Sequence, residues 1–173
     1  MYRNKIYLHP DIEKWPQTVY DRPMQAPFSS IPWNTPALWC EANASLAAAV
    51  GRNRPVLTEP QRQAGRIQRL YQLTFPLMDR LCSETCPDCT DICCRRAWVW
   101  ADFKDLLFFH LADIPLPDQQ LLSRRKDRCR YGSPGGCRLE RIRRPFVCTW
   151  YLCPAQTQRL RNEPVEMKRI SDA

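Results

Sequence analysis

Glycine is scarce in this 173-residue chain, with five residues, and histidine is scarcer still, with two, His9 and His110. There is no Gly-x-Gly-x-x-Gly turn and no phosphate loop, which argues against a nucleotide-binding site or a Rossmann-type methyltransferase. Long hydrophobic runs are missing too. The longest, residues 106–112, is interrupted by His110 and is far too short to cross a bilayer. Residues 1–10 hold no apolar core segment and no small-residue cleavage site, so no secretory signal is read there. These absences together lead us to expect a soluble, cytoplasmic protein with no membrane partner. Lysine is also rare: five residues against twenty-one arginines.

What is present is apolar content enough to fold, 44%, in a length that suits a moderate core. Sixteen prolines are unevenly spread, and six of them (Pro10, Pro16, Pro23, Pro27, Pro32 and Pro36) fall in the first thirty-six residues. That stretch also carries Trp15, Phe28 and Trp33, with Trp39 close behind and no clear period. We expect an extended aromatic arm laid onto the main body. The division is then an arm with a short helix over 1–57 and a helical cysteine-rich domain over 58–173.

Residues 41–50 are Ala-rich helix material, with Gly51 as the stop. Thr58-Glu59-Pro60-Gln61 reads as a capping box, with Thr58 as N-cap and Gln61 reaching back. Ile67, Leu70, Tyr71, Thr74, Phe75, Met78 and Leu81 then recur at helical spacing, which predicts a long helix over 59–82, kinked near Pro76. Its Arg62, Arg66 and Arg69 read as a solvated face. Asp102 can cap a helix carrying Phe103, Leu106, Leu107, His110 and Leu111, on which His110 reads as a satisfied core residue. Pro117-Asp118 opens another short helix through Leu121 and Leu122. Tyr131-Gly132-Ser133-Pro134-Gly135-Gly136 is turn chemistry for a tight loop. The expected fold is mainly α, with little strand and irregular loops organised around cysteines.

Ten cysteines carry the chemistry. In a chain without an export signal such thiols stay reduced and bind metal more readily than they form disulfides. Eight stand out: Cys86, Cys89, Cys93, Cys94, Cys129, Cys137, Cys148 and Cys153. Cys86-Pro87-Asp88-Cys89 has the spacing that lets a knuckle turn present two sulfurs to one ion. Cys93 and Cys94 are adjacent, so their side chains diverge, and they either serve different metals or include one structural thiol. Eight thiols can fill two four-sulfur sites, or one site with cysteines left for the core. Cys82-x3-Cys86-x2-Cys89 has the spacing of the radical S-adenosylmethionine motif. The residues that follow are too few for the partial barrel of those enzymes, and Asp88 stands where an aromatic is usual. The spacing does allow Cys82, Cys86 and Cys89 to share one cluster.

The net charge of +8 is concentrated: residues 124–144 hold nine basic side chains against Asp127 and Glu140. A nucleic-acid surface is one reading; internal compensation of a negatively charged thiolate site is the one preferred. The nearby aromatics, Tyr131, Phe146, Trp150 and Tyr151, are expected to shield the metal.

Cys86-x2-Cys89-x3-Cys93-Cys94, then Cys129 and Gly136-Cys137, then Arg144-Pro145-Phe146-Val147-Cys148, resembles the YkgJ-type cysteine-cluster proteins, described as zinc- or iron-chelating. The resemblance covers residues 82–153, and the Arg-Pro-x2-Cys element is its most specific part. One departure is that the family has two residues between the second cysteine and the Cys-Cys pair, where this chain has Thr90-Asp91-Ile92. That opens the role of Cys89, with Cys82 as the substitute. The family includes the flagellin lysine N-methylases, linked to an iron–sulfur centre, which tilts the expected cofactor toward a 4Fe-4S cluster, with zinc as the alternative. Those enzymes are much longer, so their activity does not transfer with the cluster. The expected function is metal binding with an unassigned protein partner or substrate. A lysine N-methylase-type enzyme and a zinc-stabilised basic binding module are the alternatives.

Overall fold

A threonine followed by a proline starts the first helix. The computed structural model describes residues 31–90, 99–125, 127–163 and 165. Within it, helix α1 spans Pro36–Arg52. Thr35 is extended, its hydroxyl accepts the Leu38 N–H at 3.3 Å, and Pro36 supplies a φ already helical where no intrahelical N–H is needed. The helix therefore begins five residues before the Ala-rich run and takes in Trp39, which the sequence had placed in the arm. It also runs through Gly51. Asn53 does the stopping, with its backbone N–H and its side-chain amide both donating to Ala49 O, at 3.1 and 2.8 Å.

A 3-10 turn, Arg54–Val56, leads directly into α2, Thr58–Thr85. The capping box expected at Thr58 does not form. Leu57 is the N-cap, Thr58 is inside the helix, and Gln61 N–H is satisfied by Leu57 O at 2.9 Å. Glu59 instead binds Arg62 through two 2.7 Å hydrogen bonds, which with Gln63 hold its carboxyl down at about 2. Pro76 lies within the helix. Of the expected apolar stripe, Met78 and Leu81 are buried with Leu77, whereas Ile67 and Leu70 remain exposed.

Helix α3, Phe103–Leu111, has the expected Asp102 cap. Its carboxylate accepts from Lys104 and Asp105 N–H, and Asp105 returns a bond to Asp102 N–H. α3 packs on α1, and Leu106 and Phe109 join Ile31, Trp39, Ala101, Ile114, Leu121 and Leu122 in the main core. Each large side chain so buried contributes about 1.5–3 kcal/mol. His110 meets Asn43 Oδ1 at 3.3 Å, which ties α3 to α1.

No helix follows Pro117. The segment runs irregularly because Gln120, 1% exposed, substitutes for regular pairing. Its Oε1 accepts from Ala101 and Leu121 N–H at 2.8 and 3.0 Å, and its Nε2 donates to Ala101 and Pro32 carbonyls at 2.9 and 3.1 Å. Trp39 Nε1 donates to Pro117 O at 2.9 Å from the other side.

The turn sequence becomes a short antiparallel hairpin, β1 Gly132–Ser133 and β2 Gly136–Cys137, with Gly132 opposite Cys137. Gly136 has φ +109°, a conformation that glycine takes without strain. A 3-10 turn, Arg141–Arg143, precedes α4, Phe146–Trp150, and α5, Pro154–Arg161. α5 packs on α2 through Leu160 against Leu77 and Leu81. The described residues are thus mainly helical. No helix among them is long and apolar enough to cross a membrane.

Candidate functional site

The hairpin brings two of the predicted sulfurs together. Cys129 lies just before it and Cys137 ends it, and the backbone N–H groups of Tyr131 and Gly132 point at the Cys129 sulfur. Cys148 lies on α4. Each of Cys129 and Cys137 acts electrostatically on Cys148. Burial first, then these two thiols, pushes Cys148 up to about 12, while Arg144 opposes the rise. Burial likewise raises Cys129, against the two backbone N–H donors. Crowded, desolvated thiols resist ionisation, and a bound cation relieves that resistance.

The Arg144-Pro145-x2-Cys148 element now has a structural account. Arg144 donates from Nε and Nη2 to Leu139 O at 2.9 and 2.8 Å, and its charge lies near Cys148. Pro145 is fully buried. Phe146 N–H is held by Asp105 Oδ1 at 2.7 Å, which fixes α4 to the head of α3. Cys148 and Thr149 then face inward. Phe146 and Trp150 face outward, 60% and 46% exposed. The reason is the helical period: residues two apart on so short a surface helix point to opposite sides. Tyr131 does turn inward, its hydroxyl accepting from Gln119 N–H at 3.0 Å and donating to Gln119 O at 3.1 Å.

Cys86 caps the C-terminal end of α2 and backs onto the hairpin. A β-carbon built on Gly136 would lie 3.8 Å from the Cys86 β-carbon. Cys89 follows in a turn, its N–H on Cys86 O at 3.2 Å. Cys153 is the N-cap of α5, its backbone N–H on Gln156 Oε1 at 3.1 Å. Cys93 and Cys94 lie outside the described residues. Cys40 is exposed on α1. Among the described residues, no three His, Cys, Asp or Glu side chains form a group that could hold a metal ion as they stand. The donor type nonetheless fits: the candidate ligands are sulfurs, the soft donors that suit zinc and iron–sulfur clusters.

Sequence reasoning gave little weight to Cys82 and none to its surroundings. The Cys82 sulfur receives Arg141 Nη2 at 3.1 Å and Gln156 Nε2 at 3.3 Å, and Arg141 Nε pairs with Asp79 Oδ1 at 2.6 Å. The Arg141 side chain is 3% exposed. Cys82 was legible as the residue four before Cys86; nothing in the sequence marked Arg141 or Gln156.

Part of the basic stretch is tied down by hydrogen bonds, while Arg124, Arg125, Arg128 and Arg138 lie exposed. Arg130 bonds the Gln119 side chain, Gln120 O and the Ser123 hydroxyl. Arg138 reaches Arg130 O, and Arg143 reaches the Pro115 and Leu116 carbonyls. These guanidinium groups fasten loops that lack regular pairing, using several planar donors each.

No family model matches the chain, and no curated protein or solved structure is significantly similar to it.

Proposed function

We propose that the chain is a metal-binding cysteine-cluster protein of the YkgJ type, in which the metal fastens loops that little regular structure holds. What supports this reading is that Cys129 and Cys137, on either side of the hairpin, both act electrostatically on Cys148 of α4, and that Cys86 backs onto the same hairpin. Cys86, Cys129, Cys137 and Cys148 would hold the group. Iron–sulfur ranks ahead of zinc through the resemblance to the flagellin lysine N-methylases. Bound there, an iron–sulfur cluster supplies one-electron chemistry, and zinc supplies a structural crosslink. The chain's own contribution is to aim backbone N–H groups at Cys129 and to set Arg144 beside Cys148, both of which stabilise sulfur charge. The hydrogen bonds that hold Arg130, Arg143 and Arg144 to loop carbonyls weigh against a nucleic-acid role for these three side chains.

The test is an absorbance spectrum of protein purified without oxygen, beside elemental analysis for iron and zinc. A broad band near ~400 nm with stoichiometric iron supports the cluster. A colourless protein with stoichiometric zinc supports the staple. Neither metal, under conditions that keep the thiols reduced, refutes the proposal.

A further inference from the structure

We infer that the exposed arginines of the basic stretch, Arg124, Arg125, Arg128 and Arg138, form a docking surface for an acidic protein, beside the hairpin that links Cys129 to Cys137. The inference goes beyond the metal-binding reading and does not require a bound metal.

The fold gathers these side chains and holds the backbone beneath them. Arg124 and Asp127 close a tight turn: Asp127 N–H donates to Arg124 O at 3.0 Å, and Asp127 Oδ2 accepts the Arg124 N–H at 2.8 Å. The base of the turn is pinned as well. Arg130 N–H donates to Leu121 O at 3.0 Å, the Arg130 guanidinium bonds the Ser123 hydroxyl, and Asn34 Nδ2 donates to Ser123 O at 3.2 Å. Arg138 follows β2, and its Nη2 donates to Arg130 O at 2.5 Å, which brings a fourth cation to the same loop. A surface fixed in this way loses little backbone freedom when a partner binds.

The charge of this surface is poorly answered within the molecule. Elsewhere, exposed arginines pair with carboxylates: Arg54 with Asp113 at 3.5 Å, Arg62 with Glu59 at 2.7 Å and Arg159 with Glu84 at 3.2 Å. Among the described residues, no carboxylate pairs with the guanidinium of Arg124, Arg128 or Arg138. Asp127 lies between the first two, and one of its oxygens is taken by the Arg124 backbone. Like charges so gathered repel one another, and carboxylates supplied by a partner relieve the repulsion through paired N–H donors.

Phosphate would suit the same guanidinium groups, and the surroundings decide between the two. Proteins hold bases on exposed aromatic faces, or set a helix or strand into a groove. These arginines project from a turn and from the end of a short hairpin. Tyr131, the aromatic of this loop, is packed against the main core with its hydroxyl engaged by Gln119. Exposed Phe146 and Trp150 belong to α4 instead. A pinned turn with guanidinium groups and no stacking face fits carboxylates on a folded surface, in an association steered by charge and weakened by salt. Arg128 and Arg138 adjoin Cys129 and Cys137 in the chain, so a partner seated on them lies against the hairpin.

The experiment uses the full chain, reduced, and a fluorescein-labelled glutamate-rich peptide, with binding read by fluorescence anisotropy at low salt. Arg124→Glu with Arg128→Glu should weaken peptide binding about tenfold while far-UV circular dichroism stays unchanged. Arg138 is left in place because it also holds Arg130 O. The same two-charge reversal at Arg66 and Arg69, exposed on α2, should change binding less than about twofold. Equal losses in the two pairs would show that net charge alone drives binding and would overturn the inference. A single-stranded oligonucleotide of equal charge that binds more tightly than the peptide, and is lost in the first pair, would overturn it in favour of nucleic acid. No peptide binding by the wild type would also overturn it. Metal content, read separately by elemental analysis, is untouched by any of these outcomes.

Discussion

Replacing Gln120 by leucine is expected to cost more than any surface change, although the two side chains are close in size. Gln120 is 1% exposed and occupies all its polar capacity, accepting from Ala101 and Leu121 N–H and donating to Ala101 and Pro32 carbonyls. Ala101 and Leu121 are themselves buried, at 0% and 2%. Leucine would leave their three backbone groups with no side-chain partner and with little access to water, and would release Pro32 O as well. A buried polar group stripped of its partner costs about 1–3 kcal/mol, and three of them come to at least about 3 kcal/mol. Some of this is offset by burying a more apolar side chain, about 1 kcal/mol. The net loss should be about 2–5 kcal/mol, a large share of the ~5–15 kcal/mol typical of a folded domain. Urea unfolding, followed by tryptophan fluorescence and far-UV circular dichroism, measures it. Gln120→Glu separates the two halves of the amide, since it keeps the acceptor oxygen and sets a carboxylate against two carbonyls. A loss below about 1 kcal/mol in Gln120→Leu, with coincident two-state transitions, would refute the argument that this side chain substitutes for regular pairing.

Two further outcomes follow from the same contacts. Cys86→Ser and Cys137→Ser should each lose bound metal while Cys40→Ser, exposed on α1, keeps it; elemental analysis showing unchanged metal in the first two would exclude them as ligands. Burial lowers the His110 pKa in the folded protein, so folding favours the neutral ring. Its contribution is fully present above the unfolded value near 6.5 and is lost as pH falls through the folded value. The melting temperature should therefore fall less between pH 7 and pH 5 in His110→Gln than in the wild type, and an equal fall would show that His110 is not part of the acid response.

Helix type was legible wherever a local signal was strong. Asp102 with Asp105 marks the start of α3, and the 3.6-residue recurrence through Met78 and Leu81 marks α2. Boundaries were less so. The Ala-rich run hid the real start of α1 at Thr35-Pro36, and Gly51 is carried inside the helix because Asn53, two residues on, supplies the cap. Thr58-x-x-Gln61 has the residues of a capping box, yet the preceding 3-10 turn already gives Gln61 N–H its acceptor. The helix read after Pro117 fails for a reason beyond any local window: Gln120 finds its partners at Ala101 and Pro32, 19 and 88 residues away.

By itself the sequence determined the mainly helical character, the turn chemistry of the hairpin and the short list of sulfurs, because propensity, glycine conformation and cysteine spacing are local properties. The tertiary structure alone decided what surrounds each sulfur. Cys129 and Cys137 flank a hairpin, whereas α4, which carries Cys148, is held in place by Asp105 on Phe146 N–H and by Arg144 on Leu139 O. Cys82 acquires its two N–H donors from residues 59 and 74 positions later in the chain. Arg130, Arg143 and Arg144 fasten loops for the same reason. A guanidinium has several donors and a long reach, and where it spends them depends on which carbonyls the fold leaves unpaired.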